Sequence, residues 1–465
     1  MKINPNIFRE YDIRGIAGKD LNAEFAESLG RTYATWALQK LNQTTMTIAV
    51  GRDCRLTSDD YASSLIRGLR GSGINVIDIG VCPSPLTYFS VFHYDLDGAI
   101  MITGSHNPAD YNGFKIGFKK DTLHGEQIQE LKRIFLSGQF IRPKQEGSLE
   151  SRRIIEPYVD YVSKNVHPKK KLKVVLDAGN GTASTVAPNL FSAMGAEVIP
   201  LYCELDGRFP NHHPDPTVPK NLAALVAEVK RVGADFGVGY DGDSDRIGAV
   251  DGTGRILYGD ELMVVFSREV LKYNPGATII SEVKSSHRLY QDIARKGGQP
   301  IMWKTGHSLI KSKMKQTGAK LAGEMSGHIF FGDRWFGFDD AIYASARLYE
   351  IIGESGSLAS LIADLPSVFN TPEIRIDCQE EMKFSLIQHA AKLLQDPQGK
   401  STDIDGLRVD YSDRWGLLRA SNTQPVIVMR FEAQTQDGLK EIRSRFESAL
   451  QAAAQEIGHA KIDFS

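Results

Sequence analysis

Cysteine is scarce in this chain: Cys54, Cys82, Cys203 and Cys378 are scattered through 465 residues. None forms a CxxC pair, which argues against a zinc site and against a disulfide framework. Isolated thiols fit a reducing compartment. Long apolar runs are also lacking. No stretch approaches the ~18 residues that a membrane-spanning helix needs, and the amino end, MKINPNIFREYDIRG, lacks the apolar segment of a signal peptide. A cytoplasmic protein with no membrane partner is the expectation. There is no excess charge of one sign: 55 basic and 57 acidic residues leave a formal charge of −2. That gives no electrostatic case for a nucleic-acid partner. An anion site must then be local, built by a few basic residues in a cleft. GxxxxGK[ST] is absent, which removes an ATP-type P-loop, and so is GxSxG, which disfavours an α/β-hydrolase.

The composition is otherwise ordinary, 42% hydrophobic and 24% charged, and the length suits a few domains of roughly 100–200 residues each. Short apolar strands and amphipathic helices alternate in three similar units. The first has strands TIAVGRD, NVIDIG and GAIMIT around helices at 58–71 and 84–92, and ends in TGSHNP. The second has LKVVLDAGN, AEVIPLY and ADFGVGY around helices at 183–194 and 220–232, and ends in DGDSDR. The third has ATIISEV, QPIMWKT and AKLAGE around helices at 286–295 and 307–316, and ends in GEMSGH. This alternation predicts mostly parallel sheets covered on both faces. Such sheets bind ligands at the carboxyl ends of their strands, so the three closing loops are candidates for one shared site. The last segment, PEIRIDC, a helix at 380–394, LRVDY, WGLLRAS, PVIVMRFEA and a closing helix from Asp437, reads as a smaller α+β domain. Breaks near 145–151, 251–254 and 366–369 divide the chain into 1–150, 151–253, 254–368 and 369–465.

DGDSDR sets Asp241, Asp243 and Asp245 at alternating positions. They converge only around something positive, since mutual repulsion would otherwise raise their pKa values. An all-oxygen set suggests Mg²⁺. An EF-hand would need Gly and Glu where the chain has Arg246 and Gly252. Gly237, Gly239 and Gly242 match GxGxxG, but RIGAVDGTGRILYG follows, which reads as a hairpin rather than the helix a dinucleotide site opens. TGSHNP puts Ser105 on a turn after a strand, either as a nucleophile awaiting activation or as an ordinary turn serine. NGFK adds Lys115, a flexible cation. GEMSGH adds Glu324, Ser326 and His328: hydroxyl readers and a proton exchanger, or a capped turn. KTGHS adds Gly306 and His307. RASNT supplies Arg419, Ser421, Asn422 and Thr423, a cradle suited to a phosphate dianion or an ordinary surface turn, with Arg430 beyond. FREYDIRG carries Tyr11 and Arg14.

In order along essentially the whole chain, YDIRG, TGSHNP, NGFK, DGDSDR, KTGHS, GEMSGH and RASNT resemble the alpha-D-phosphohexomutase superfamily. TGSHNP with GEMSGH is similar to its bacterial phosphomannomutase/phosphoglucomutase branch, whereas glucosamine-phosphate mutases typically show TASHNP and GEQSGH. The resemblance implies four domains around a central cleft. It also implies an isomerase that interconverts hexose 1-phosphate and hexose 6-phosphate, of mannose and glucose, through a phosphoserine and a hexose 1,6-bisphosphate. Carried over by position, Ser105 is the phosphoserine, and its phosphate completes an Mg²⁺ site made by Asp241, Asp243 and Asp245. Glu324 and Ser326 contact sugar hydroxyls. Arg419, Ser421, Asn422 and Thr423 hold the phosphate that is not transferred. Arg14, Lys115, Arg246, His307 and His328 surround the reacting oxygens, with His328 as acid/base. Tyr11, Lys284, Gly306 and Arg430 complete the substrate contacts, and a monomer is favoured. The family's metal loop usually reads DGDGDR; Ser244 replaces the middle glycine. A positive φ there would strain the serine, or its hydroxyl would bond a carboxylate. Two rival classes use the same residues: a phosphatase with water as acceptor, and a non-catalytic sugar-phosphate binder.

Overall fold

The computed structural model describes residues 4–379, 381–421, 425–457, 462 and 464. In the first sheet, Thr47–Arg52 lies between Asn75–Val81 and Gly98–Ile102 and runs parallel to both. Its middle residues are buried, as the covered interior of a parallel sheet requires. The chain then turns back: Tyr111–Phe118 runs antiparallel to Gly98–Ile102 and pairs on its other side with Ile13–Ile16. The second sheet repeats the plan. Lys173–Asp177 lies between Glu197–Leu201 and Phe236–Tyr240, parallel to both, and Ile247–Asp251 returns antiparallel. In the third, Thr278–Glu282 lies between Gln299–Trp303 and Leu321–Gly323, and Ile329–Phe331 returns.

TGSHNP, DGDSDR and GEMSGH therefore occupy equivalent places, each joining the last parallel strand of its sheet to the antiparallel return. The hairpin expected at DGTG is present, Ile247–Asp251 pairing with Ile256–Leu257. Gly237 and Gly239 lie inside a strand that is followed by another strand, so the dinucleotide reading fails. Two expected helices begin with 3₁₀ turns, Thr182–Thr185 and Pro219–Leu222, before Ala187–Ala193 and Ala223–Val232.

The last segment forms an antiparallel sheet centred on Arg414–Ala420 and Val426–Ala433, backed by helices Lys383–Leu393 and Gln436–Glu456. Its apolar core, around Leu418, Met429 and Phe446, is its own. The largest core instead joins the first three units, with Phe89, Tyr158, Phe191, Trp335 and Tyr349 in one continuous cluster. Three sheets are thus fused through apolar packing, and the fourth unit is attached to them.

Candidate active site

The three loops meet. Arg246 and His328 form an antiparallel bridge, and the Ile247 N–H donates to the Gly327 carbonyl at 3.0 Å. The second and third loops are thereby tied together by backbone. The first unit is tied to the second loop through Ser84, at the start of helix Ser84–His93, whose N–H donates to the Asp243 carbonyl at 2.9 Å and whose hydroxyl reaches Asp243 Oδ2 at 2.5 Å.

Ser105 sits at this junction, 2% exposed. Its Oγ donates to Asp241 Oδ2 at 3.0 Å and lies 3.2 Å from His106 Nδ1. Burial pushes the His106 imidazole well below its ordinary pKa, and Arg246 and Arg14 add to the effect, so its ring is neutral. Lys115, on Tyr111–Phe118, salt-bridges Asp243 at 2.5 Å and also Asp245. Burial works against its charge, but the two carboxylates raise its pKa well above normal.

Asp241, Asp243 and Asp245 present oxygens within 4.8 Å of one another. Burial, together with Asp243 and Asp245, pushes Asp241 well above the usual carboxylate range. Burial also acts to raise Asp245, but Lys115 and His328 hold it well below. Lys115 offsets only part of the cluster's negative charge, and Asp243 Oδ1 is buried without a hydrogen-bond partner. An oxygen-rich, charge-deficient cage with an orphaned ligand atom fits a hard divalent cation. Ser244 adopts φ +64°, the strained conformation feared from the sequence. Its hydroxyl bonds Thr182 Oγ1 at 3.0 Å, not a carboxylate, because Thr182 lies beneath the loop.

His328 lies between two carboxylates, with Nδ1 2.5 Å from Glu324 Oε2 and Nε2 3.2 Å from Asp245 Oδ1. Burial lowers its pKa, but Asp245 and Glu324 outweigh this and raise it to about 9. Both ring N–H groups of the imidazolium then donate to carboxylates. Arg246 Nε, 3.2 Å from the same Nε2, stands beside the ring rather than bonded to it. Burial would raise Glu324, but His328 and then Lys284 hold it at about 2. Glu324 Oε1 also accepts the Gly306 N–H at 2.6 Å. A Cβ on Gly306 would lie 2.5 Å from Tyr11 Oη, so glycine is needed for the tyrosine to cross from the first unit to the Thr305 carbonyl, 3.1 Å away. His307 Nδ1 lies 3.4 Å from Asp339 Oδ2. Burial, then Lys311, lowers the pKa of His307.

Tyr11, Arg14, Ser105, Lys115, Asp245 and Arg246 line one cleft. Lys284, Gly306, His307, Glu324, Ser326 and His328 continue it, and Arg419 and Ser421 close its far side. Arg430 does not reach it. Its guanidinium bonds the Lys284 carbonyl and pairs with Asp260 at 3.3 Å, which places it in the joint behind the cleft. Asn422 and Thr423 lie outside the described residues. Sequence reasoning missed Asp12, which pairs with Arg14, and Glu373, which pairs with Lys284 at 3.1 Å. Glu373 and Arg375 alternate with Ile374 and Ile376, a period-two signal of a polar strand face that could have found them.

Four sequence families match the chain in order. Phosphoglucomutase/phosphomannomutase alpha/beta/alpha domain I covers residues 5–142, domain II 156–254, domain III 258–369 and the C-terminal domain 373–449. A phosphomannomutase/phosphoglucomutase from Pseudomonas putida is 49% identical over 97% of both chains. A phosphoglucomutase from Neisseria gonorrhoeae is 44% identical over 97% of this chain and 98% of its own. The crystal structure of a phosphoglucomutase/phosphomannomutase family protein from Burkholderia thailandensis superposes with a TM-score of 0.92 at 41% identity, covering 99% of this chain and all of that one. The chain belongs to the phosphoglucomutase/phosphomannomutase family, a branch of the alpha-D-phosphohexomutases.

Proposed function

We propose that this protein interconverts hexose 1-phosphate and hexose 6-phosphate, of both glucose and mannose, through a phosphorylated Ser105 and a hexose 1,6-bisphosphate. The observation that carries the residue assignment is Ser105 Oγ, 3.0 Å from Asp241, facing a cleft whose far wall holds Arg419 and Ser421. A phosphate held on that wall aims the other end of a hexose at the serine.

When Ser105 accepts the phosphoryl group, Oγ forms the new P–O bond and its proton passes to an oxygen of the phosphoryl group it receives. The bond between phosphorus and the sugar oxygen breaks, and imidazolium His328 protonates that oxygen. In the opposite half-reaction the sugar hydroxyl gives its proton to His328, and Ser105 recovers its own. Lys115, Arg246 and Arg14 offset the charge that spreads over the equatorial oxygens, the main demand of phosphoryl transfer. Mg²⁺, held by Asp241, Asp243, Asp245 and a phosphate oxygen on Ser105, would supply the positive charge that the carboxylate cage lacks. Glu324 and Ser326, at mid-cleft, suit O3 and O4, which keep their place when the bisphosphate turns around. Among the described residues no helix is long and apolar enough to cross a membrane, and a cytoplasmic site of action goes with soluble sugar phosphates.

A tryptic map of purified enzyme should find phosphate on the peptide containing Ser105. Ser105→Ala should lose that phosphate and nearly all turnover. Added glucose 1,6-bisphosphate should stimulate the dephosphorylated enzyme, which a phosphatase would not need, and EDTA should remove activity that Mg²⁺ restores. Phosphate on another residue, with a fully active Ser105→Ala, overturns the mechanism.

A further inference from the structure

Behind the nucleophile turn lies a residue that does not line the cleft. Arg55, 3% exposed, follows the strand Thr47–Arg52. Its Nη2 donates to the carbonyls of Ser105 at 2.7 Å and Asn107 at 2.6 Å. Its Nη1 donates to those of Pro108 at 2.5 Å and Tyr111 at 2.9 Å. Nε goes to Asp53 at 3.1 Å. All five guanidinium N–H groups are thus committed, four of them to backbone carbonyls between Ser105 and Tyr111, the turn that presents Ser105 and the first residue of the strand that follows it. Asp53 supports the same turn from its N–H side. It accepts from Gly104 N at 3.2 Å and from the Thr103 hydroxyl at 2.8 Å, and Thr103 Oγ1 in turn accepts the Ser105 N–H at 2.8 Å.

The turn needs this support. Ser105 has φ +51°, a left-handed conformation that strains a residue with a Cβ and persists only where the surroundings impose it. That conformation sets Oγ against Asp241. Gly104 is matched to the arginine: a Cβ there would fall 2.6 Å from Arg55 Cζ and Nε, and the position has no positive φ to require glycine otherwise. The second unit covers the guanidinium from outside, with the Phe209 ring 5.1 Å from Cζ and Gly207 against the Arg55 backbone.

We propose that Arg55 is a positioning residue for phosphoryl transfer: by gathering four carbonyls of the nucleophile turn and the strand after it, it holds Ser105 in its left-handed conformation and so aims Oγ at the transferring group. Asp53 fixes Arg55, and Gly104 leaves it room. The proposal rests on the assignment of Ser105 as the phosphoryl acceptor.

The test uses full-length Arg55→Met, Arg55→Lys, Gly104→Ala and the Arg55→Met/Gly104→Ala double variant. Each is assayed for kcat and KM with glucose 1-phosphate, for the rate at which glucose 1,6-bisphosphate phosphorylates Ser105, and for Tm. Arg55→Met and Gly104→Ala should each lower kcat and the phosphorylation rate about a hundredfold, the usual consequence of misplacing a reacting atom by about 1 Å, while KM is unchanged. Arg55→Lys keeps the ion pair but gathers fewer carbonyls and should fall between. The double variant should be no slower than the slower single one, because the three atoms nearest an alanine Cβ at position 104 all belong to the arginine. Unchanged kcat in both single variants, losses that multiply in the double variant, or KM rising in step with the loss of kcat would each overturn the proposal. If Arg55→Met does not fold, Gly104→Ala and Arg55→Lys decide it. Phosphorylation of wild-type Ser105 is the control. Its absence would sink the functional assignment itself, whereas its presence alongside unaltered variant rates would sink only the role of Arg55.

Discussion

Ser244 in the metal loop combines a cost and a gain. At φ +64° its side chain costs roughly 1–2 kcal/mol, set against about 0.5–1 kcal/mol for the extra unfolded-state freedom a glycine would bring. The hydroxyl recovers about 1 kcal/mol through its bond to Thr182. Ser244→Ala keeps the strain and loses the bond, whereas Ser244→Gly loses both. Thermal unfolding should therefore rank the glycine variant close to wild type and the alanine variant lowest, with about 0.5–1 kcal/mol between the two. Alanine at or above glycine would show that the loop is not strained. At this scale the sequence was readable where residues converge on the cleft and its acidic cage: Ser105, the three aspartates, His328 and Arg419 sit in motifs whose chemistry is visible in a string. Asp53, Arg55 and Thr182 were not, because they bond to backbone or to one another across 50 residues and more, and no local pattern marks such partners.

Among the elements, the parallel strands and the helices between them were legible because each buries one face and leaves a period behind. Helix Ala341–Ser355 was not. It is buried almost all round and so shows no polar stripe, and the helix Gly259–Tyr273 is buried over most of its length as well. The N-cap of Ala341–Ser355 is Asp340, which accepts the Tyr343 N–H at 2.8 Å and the Tyr158 hydroxyl of the second unit at 2.8 Å. Burial pushes this carboxyl up to about 7, against the opposing pull of those two hydrogen bonds. An unfolded aspartate titrates near ~3.9. Between that pH and about 7 the unfolded chain is ionised at this site while the folded chain keeps its proton, so stability falls as pH rises through the interval. Asp340→Asn cannot ionise and keeps an acceptor for both donors. Its Tm relative to wild type should therefore improve from about pH 5 to about pH 8. A difference that stays flat, or widens against the mutant at the higher pH, would show that Asp340 is ionised in the folded protein.

Taken whole, the molecule divides into a fused body and an attached fourth unit, and the attachment is largely polar. Arg408 donates to the carbonyls of Val283 and Ser285 at 2.7 Å each, the Ser286 hydroxyl and Trp415 Nε1 share Glu432, and Lys284 pairs with Glu373. Among the described residues a small apolar cluster around Val283, Trp415 and Leu417 joins them. A largely polar joint suits a unit that opens to release product and closes to retain a bisphosphate. The cradle rides on this unit. Asp405 ties it down by accepting Arg419 Nε at 3.1 Å and the Thr305 N–H of the third unit at 3.0 Å. In the proposed reading a substrate phosphate arriving there takes over a guanidinium already held in place, and Arg419 contacts phosphate rather than the ring, so its loss should weaken all sugar phosphates alike. A charged hydrogen bond is worth about 1.5–3 kcal/mol, so Arg419→Ala should raise KM about ten- to hundredfold for glucose 1-phosphate and mannose 1-phosphate together. The ratio of their kcat/KM values should stay within roughly tenfold in wild type and variant if, as proposed, Glu324 and Ser326 bond hydroxyls that the two sugars share. Coupled assays on both substrates check this. An unchanged KM would place the phosphate elsewhere, and a variant that weakened one sugar far more than the other would show that the fourth unit reads the ring as well.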